Sequence, residues 1–82
     1  MNFYCGIDLS ARDCHLCVID EQLQIKVQQE LRNDLPGIIK LLQRYQAHLR
    51  IVVESTFNCY WLVDGLQAAG FEVVLATPWV CI

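Results

Sequence analysis

The first part of the chain contains three short stretches in which apolar residues run together or alternate with polar ones. Residues 3–8 are almost all apolar and predict a strand at the centre of a sheet. Residues 14–20 and 24–31 alternate, which is typical of strands with one exposed face. Polar segments at 9–13 and 21–22 separate the three stretches. The pattern therefore predicts a meander of three antiparallel strands.

The second part of the chain switches between helical and extended patterns. Apolar residues recur at helical spacing after Asn33 and Asp34, either of which can cap a helix that ends near Ala47. The remaining predicted elements are a strand over residues 51–54, a helix over 60–69 ended by Gly70, and a strand over 71–76 that Pro78 stops.

The resulting order is β-β-β-α-β-α-β. A helix that joins two strands of one sheet returns the chain parallel to the first strand and with a right-handed crossover. The simplest sheet then has the strand order 3-2-1-4-5, in which the first and fourth strands are neighbours. This is an α/β fold with a mixed five-stranded sheet, the arrangement of ribonuclease H-like proteins.

Two carboxylates lie at the ends of predicted strands. Asp8 is the last residue of the first strand, and Glu54 is the last residue of the fourth. A buried charge without a partner is costly, whereas the carboxyl ends of strands in α/β sheets commonly carry the functional groups. Two hard oxygen ligands on neighbouring strands suggest a site for Mg²⁺ or Mn²⁺. The alternative is that each acid only ends a strand or caps a helix.

Size, charge and cysteine content narrow the possibilities. The 82 residues suffice for one small domain, which we take to span 1–82. The net charge is −3 and the six basic residues are scattered, so the chain is not a self-sufficient nucleic-acid binder, although a nuclease fragment is still compatible. We see no membrane-spanning stretch and no signal peptide. Five cysteines without framework spacing then favour reduced thiols and a cytoplasmic protein.

The sequence Cys14-His15-Leu16-Cys17 is a CxxC motif. A zinc site needs about four ligands, and the chain has no second motif of this kind. On a strand, moreover, Cys14 and Cys17 point to opposite faces. We therefore interpret both cysteines as structural.

Several motifs together resemble those of the DEDD-type insertion-sequence transposases, the Piv/MooV group. The resemblance covers essentially the whole chain. The motifs that carry it are Gly6-Ile7-Asp8-Leu9-Ser10 before a hairpin, Asn33 with Gly37-Ile38, Val53-Glu54-Ser55-Thr56 before Tyr60-Trp61, and Ala69-Gly70-Phe71-Glu72-Val73 before Thr77-Pro78.

The resemblance implies a fold similar to the Holliday-junction resolvase RuvC and four acids, Asp-Glu-Asp-Asp, that bind divalent metal for DNA strand cleavage and transfer. Asp8 matches the first acid and Glu54 the second. The last two acids and the family's serine-bearing C-terminal domain have no counterpart here, and Phe57 stands where the family usually has glycine. We therefore expect the N-terminal part of a transposase catalytic domain, truncated after the fifth strand, that binds Mg²⁺ or Mn²⁺ weakly and is inactive by itself, whereas the intact protein acts on DNA.

Two other functions are compatible with the residues. A non-catalytic α/β interaction module would need no metal at Asp8 and Glu54. A fragment of an actin-like or sugar-kinase-type ATP-binding domain also begins with a Gly-Ile-Asp strand, but Ser10-Ala11-Arg12 offers no glycine to cradle phosphate.

The end of the chain carries one further expectation. The last predicted strand is at an edge of the sheet, and the apolar residues 79–82 follow it. Exposed apolar surface beside an open edge favours self-association. We therefore expect a homo-oligomer whose interface includes the Phe71–Ile82 region.

Overall fold

The structure, a computed structural model, describes residues 2–10, 12–55 and 59–76. Phe57 and the loop around it, Pro78 and the apolar end of the chain lie outside the described residues. In chain order the elements are β1 (Phe3–Leu9), β2 (Asp13–Asp20), β3 (Ile25–Arg32), α1 (Leu35–Leu42), a 3₁₀ helix (Gln43–His48), β4 (Leu49–Ser55), α2 (Tyr60–Ala68) and β5 (Glu72–Leu75).

The strands form one mixed sheet in the order β3-β2-β1-β4-β5, which confirms the predicted fold class and strand order. β1 pairs antiparallel with β2, and β2 pairs antiparallel with β3. β4 lies parallel to β1 on one side and to β5 on the other. The prediction of a meander followed by two helical crossovers is therefore correct.

Only one face of this sheet is buried among the described residues. In β1, Cys5, Ile7 and Leu9 are buried, and the core they belong to includes side chains of both helices, such as Ile38 and Leu62. Phe3 is half-buried against this core, whereas Tyr4 and Asp8 are exposed on the other face. The apolar run of β1 is therefore central in strand order but covered on one face only. We call the other face of the sheet the open face; it carries Tyr4, Gly6, Asp8, His15, Cys17, Ile19, Gln28, Glu30, Arg50, Val52, Glu54, Glu72 and Val74.

The connection between the first helix and β4 differs from the prediction. The α-helix ends at Leu42 rather than near Ala47, and a 3₁₀ helix follows it from Gln43 to His48. β4 begins at Leu49, two residues before the predicted start, because Leu49 is buried in the core and the chain is already extended there. Gln46 ties this segment to the second helix, since its side-chain N–H donates to the carbonyl of Ala69 over 2.8 Å.

Gly70 ends α2 in the predicted way. Its φ of 94° lies in the left-handed region, which residues with a Cβ adopt at a cost. The N–H of Phe71 donates to the carbonyl of Leu66 and that of Gly70 to the carbonyl of Gln67, which together form a Schellman motif. Phe71 and Leu66 are both buried, and an apolar contact between these two positions is usual for this motif.

The turn between β2 and β3 contains no glycine, and the buried Asp20 supports it. The carboxylate of Asp20 accepts backbone N–H bonds from Gln22 and Gln24 at 2.9 and 3.0 Å, and Lys26 lies 3.5 Å away. Leu23 adopts a φ of 65°, an unfavourable value for a residue with a bulky side chain. The hydrogen bonds to Asp20 offset this local strain.

No helix among the described residues is long and apolar enough to cross a membrane.

We predict that Gly70→Ala lowers the free energy of unfolding by about 1 kcal/mol or more, because alanine is strained at positive φ and its Cβ would meet the Gln46 side chain. The matched control is Gly6→Ala, where an added Cβ has no atom within 4 Å and φ is not positive. Chemical denaturation should show Gly6→Ala to be neutral or stabilising. Equal losses in both variants would contradict this role of Gly70.

We also predict a contribution of Asp20 to acid stability. The N–H of Gln24 is the largest influence that lowers the pKa of Asp20, followed by Gln22 and Lys26, while burial acts in the opposite direction. Because the folded pKa is lowered, the stabilisation is present above the unfolded value of about 4 and is lost as the pH falls through the folded value.

Denaturation curves between about pH 2 and pH 7 test this, since they span the range in which aspartate titrates. Asp20→Asn should flatten the acid dependence of stability. The control Asp64→Asn should leave that dependence unchanged, because Asp64 is exposed on α2 and makes no hydrogen bond or ion pair within the described ranges. An unchanged slope in Asp20→Asn would contradict the prediction.

Candidate active site

Asp8 and Glu54 are partners in the parallel register of β1 and β4. Neighbouring strands lie about 4.8 Å apart, so the two residues start from adjacent backbone positions. Both side chains are exposed on the open face. The structure thus brings the two sequence-predicted acids together.

The reason for their exposure differs from the one the sequence suggested. Neither acid ends its strand, since β1 continues to Leu9 and β4 to Ser55. Because side chains alternate along a strand, the residue before each acid enters the core while the acid itself faces outward. Ile7 and Val53 are both buried opposite each other in this same register. Alternation, rather than the end of the strand, keeps the charges out of the core.

A row of polar side chains crosses the open face at this level. His15 is the cross-strand partner of Asp8 on β2, and Glu30 is the partner of His15 on β3. The row is therefore Glu54, Asp8, His15 and Glu30, one residue from each of four adjacent strands. A shallow cavity of about 290 Å³ lies along it, lined by Gly6, Ile7, Asp8, His15, Cys17, Val52 and Glu54.

Asp8 and Glu54 have no protein partner among the described residues. Neither Asp8 nor Glu54 accepts a hydrogen bond or forms an ion pair there. Asp20, by contrast, accepts two hydrogen bonds and lies near Lys26. The oxygens of Asp8 and Glu54 are thus available to a ligand from solution.

The donor set of this pair fits one hydrated divalent cation. Mg²⁺ keeps several waters and is held through one or two carboxylates together with phosphate oxygens. Within the described ranges, no group of three or more histidine, cysteine, aspartate or glutamate side chains is arranged to hold a metal. Asp8 and Glu54 therefore suit a single weak site, and His15 does not complete a third ligand position.

The turn that follows Asp8 is fastened by Asn33, a role that the sequence did not reveal. Its side-chain N–H donates to the carbonyl of Ser10 at 2.9 Å, and its backbone N–H donates to that of Arg12 at 3.0 Å. Asp34, not Asn33, occupies the N-cap position of α1. Asn33 thus fixes the backbone just beyond Asp8 across a separation of 23 residues.

The two cysteines of the CxxC motif lie on opposite faces of the sheet, as the strand pattern predicted. Cys14 is buried in the core, whereas Cys17 lies on the open face, so the two thiols point to opposite sides of the sheet. Burial is the main cause that raises the pKa of Cys14, and burial likewise raises the pKa of Cys5 to about 12. Neither buried thiol is a reactive nucleophile.

Solved structures share this fold. RuvC of T. thermophilus, in complex with a Holliday junction substrate, superposes with a TM-score of 0.74 at 13% identity, covering 95% of this chain and 66% of that chain. The Ppx/GppA phosphatase of Aquifex aeolicus superposes with a TM-score of 0.51 at 15% identity, covering 95% of this chain and 36% of the phosphatase chain. The protein thus has a RuvC-like, ribonuclease H-like fold, and it spans just under two thirds of the RuvC chain.

The sequence assigns the chain to a protein family, which is narrower than the fold that it shares with the solved structures. The profile of the IS110-type DEDD transposases, described as a transposase family, matches residues 5–80. The chain belongs to this family of transposases, as its motifs indicated. None of the curated proteins compared with the chain matches it.

We predict that neutralising either acid leaves the fold intact and stabilises it slightly in the absence of divalent cations. Like charges side by side on neighbouring strands cost roughly 0.2–1 kcal/mol. Asp8→Asn and Glu54→Gln should each raise the free energy of unfolding within that range, and the double variant should gain less than the sum.

Glu30→Gln is the matched control, because the register partner of Glu30 is His15 rather than another acid. It should bring no gain in chemical denaturation. A loss of stability in Asp8→Asn and Glu54→Gln would instead favour the interpretation of both acids as structural strand residues.

Proposed function

We propose that this chain is the metal-binding part of the catalytic domain of a DNA transposase, whose intact form cleaves and transfers DNA strands. The observation that carries the proposal is the register pair of Asp8 and Glu54, exposed and unpartnered among the described residues. Membership of the transposase family supports DNA as the substrate. The cytoplasmic location expected from the sequence is part of the same proposal.

In this proposal Asp8 and Glu54 hold Mg²⁺ or Mn²⁺ through carboxylate oxygens. A cation held there would supply Lewis-acid chemistry, namely polarisation of a phosphate and activation of an attacking hydroxyl group. The protein's own contribution is rigid placement, since both acids project from central, hydrogen-bonded strands. Asn33 holds the turn after Asp8 in place. Gly6 leaves the floor of the cavity open, because it puts no side chain between Cys17 and Val52.

The same geometry argues against turnover by these 82 residues alone. Two-metal phosphoryl transfer needs ligands on both sides of the scissile phosphate. The described residues supply one pair of carboxylates and no cluster of three ligands. We therefore propose that the intact transposase supplies further acids, and that this chain binds metal weakly without cleaving DNA.

We predict that Mn²⁺ broadens the backbone amide NMR signals around residues 6–9 and 52–54 selectively. Asp8→Asn and Glu54→Gln should each abolish most of this broadening, because one exposed carboxylate holds a hydrated divalent cation poorly. Glu72→Gln, at the other end of the open face, is the control and should leave the broadening unchanged. Broadening that persists without Asp8 and Glu54 would refute the shared site.

We also propose that the protein forms a homo-oligomer through the Phe71–Ile82 region. β5 is an edge strand with a single neighbour among the described residues, and Val74 on it is 48% exposed. An edge strand with exposed apolar side chains can pair with a second copy of the chain. Residues 77–82 lie outside the described residues, so β5 alone carries the structural part of this proposal.

Sedimentation of the full chain and of a chain ending at Thr77 would test this association. We expect the full chain to dimerise with a Kd of about tens of micromolar or tighter, roughly −6 kcal/mol. Val74→Lys should weaken the dimer, because a charge on an edge strand opposes pairing. Ile25→Lys, at the opposite edge, should not. A monomeric full chain at these concentrations would refute the proposal.

A further inference from the structure

The polar row of the open face contains one side chain that the proposed metal chemistry does not use. His15 lies beside Asp8 on the neighbouring strand β2, and its side chain is exposed. It lines the 290 Å³ cavity with Asp8 and Glu54. It also lines a second cavity of about 240 Å³, together with Asp8, Ser10, Asp13, Cys14 and Glu30.

The imidazole has no partner within the described ranges, although acids flank it in the register. No nitrogen of His15 lies within 4 Å of a carboxylate oxygen of Asp8 or Glu30, and none takes part in a hydrogen bond. An imidazole carries at least one N–H donor in any protonation state. That donor is therefore directed to solvent beside the two acids.

The charges of the residues around His15 indicate which ligand its N–H group can contact. Four carboxylates line the two cavities, Asp8, Asp13, Glu30 and Glu54, and no lysine or arginine is among the described lining residues. A phosphodiester carries a negative charge, so these residues repel it unless a cation or an N–H donor is present. A divalent cation would neutralise Asp8 and Glu54 only. His15 is the donor side chain that lines both cavities.

We propose that His15 binds the DNA backbone next to the metal site, by donating an N–H to a non-bridging oxygen of the phosphate that the cation contacts. This inference rests on the proposed function and adds a DNA-contacting residue to it. Arg12 is a weaker candidate, because it lies in the turn after β1 and lines neither cavity. His15, by contrast, is held on an interior strand as the direct cross-strand partner of Asp8.

NMR of the imidazole groups tests this contact with short duplex DNA of arbitrary sequence in Mg²⁺ as the probe. The chain has two histidines, and His48 is exposed in the 3₁₀ helix at the far end of the sheet, which makes it an internal control. We expect the imidazole signals of His15 to shift on addition of DNA, and those of His48 to stay in place. Unchanged His15 signals, or equal shifts of both histidines, would overturn the proposal.

Substitutions separate DNA contact from metal binding. His15→Ala should weaken the low DNA affinity of this chain about tenfold, measured by titrating DNA and following the backbone amide NMR shifts, as expected for loss of a hydrogen bond to a charged group. His15→Gln, which keeps an N–H donor, should recover part of the affinity, and His48→Ala should bind as the wild type does. Wild-type affinity in His15→Ala would overturn the proposal.

The Mn²⁺ experiment distinguishes this inference from the proposed function. His15→Ala should keep the selective broadening that depends on Asp8 and Glu54. If broadening in the wild-type protein does not depend on the two acids, the proposed function fails, whatever His15 does. If His15→Ala abolishes the broadening while the protein stays folded, His15 is a metal ligand and the assigned contact with phosphate is wrong.

Discussion

The parallel register between β1 and β4 is the constraint on which both the core and the site depend. It sets Ile7 opposite Val53 on the buried face and Asp8 opposite Glu54 on the open face. A slip of one residue would turn every side chain of a strand to the other face. Asp8 would then enter an apolar core without a partner, which is far more costly than a lost apolar contact. The packing of the core therefore also fixes the positions of the two acids.

The pattern of apolar and polar residues was enough to predict the elements of this sheet and also the order of its strands. Strand β1 and helix α2 follow from runs and spacings of apolar residues that need no distant partner to be recognised. The adjacency of Asp8 and Glu54 then follows from the right-handed crossover, because the first helix can return the chain to only a few positions beside β1. The family resemblance and the strand pattern led independently to the same pair of acids.

The features that the sequence did not reveal all depend on contacts between distant segments. Asn33 looks like a helix cap by its neighbours, yet it bonds to Ser10, 23 residues away. Leu49 looks like part of a linker until its burial in the core is known. The sequence also did not reveal that one face of the sheet is exposed. An apolar run such as residues 3–8 has the same pattern whether one face of the strand or both are covered.

Comparison of Asp20 with Asp8 shows how partners decide the role of a carboxylate. Both are aspartates in strands of the same hairpin, and both lie close to one end of their strand. Asp20 is buried, accepts two backbone N–H bonds and lies near Lys26, so its charge is used within the fold. Asp8 is exposed beside a second acid and has no partner in the part of the chain that the structure describes. A pair of unpartnered like charges lowers stability unless a cation binds between them. The contrast with Asp20 therefore supports the proposed metal site over a role of Asp8 in folding.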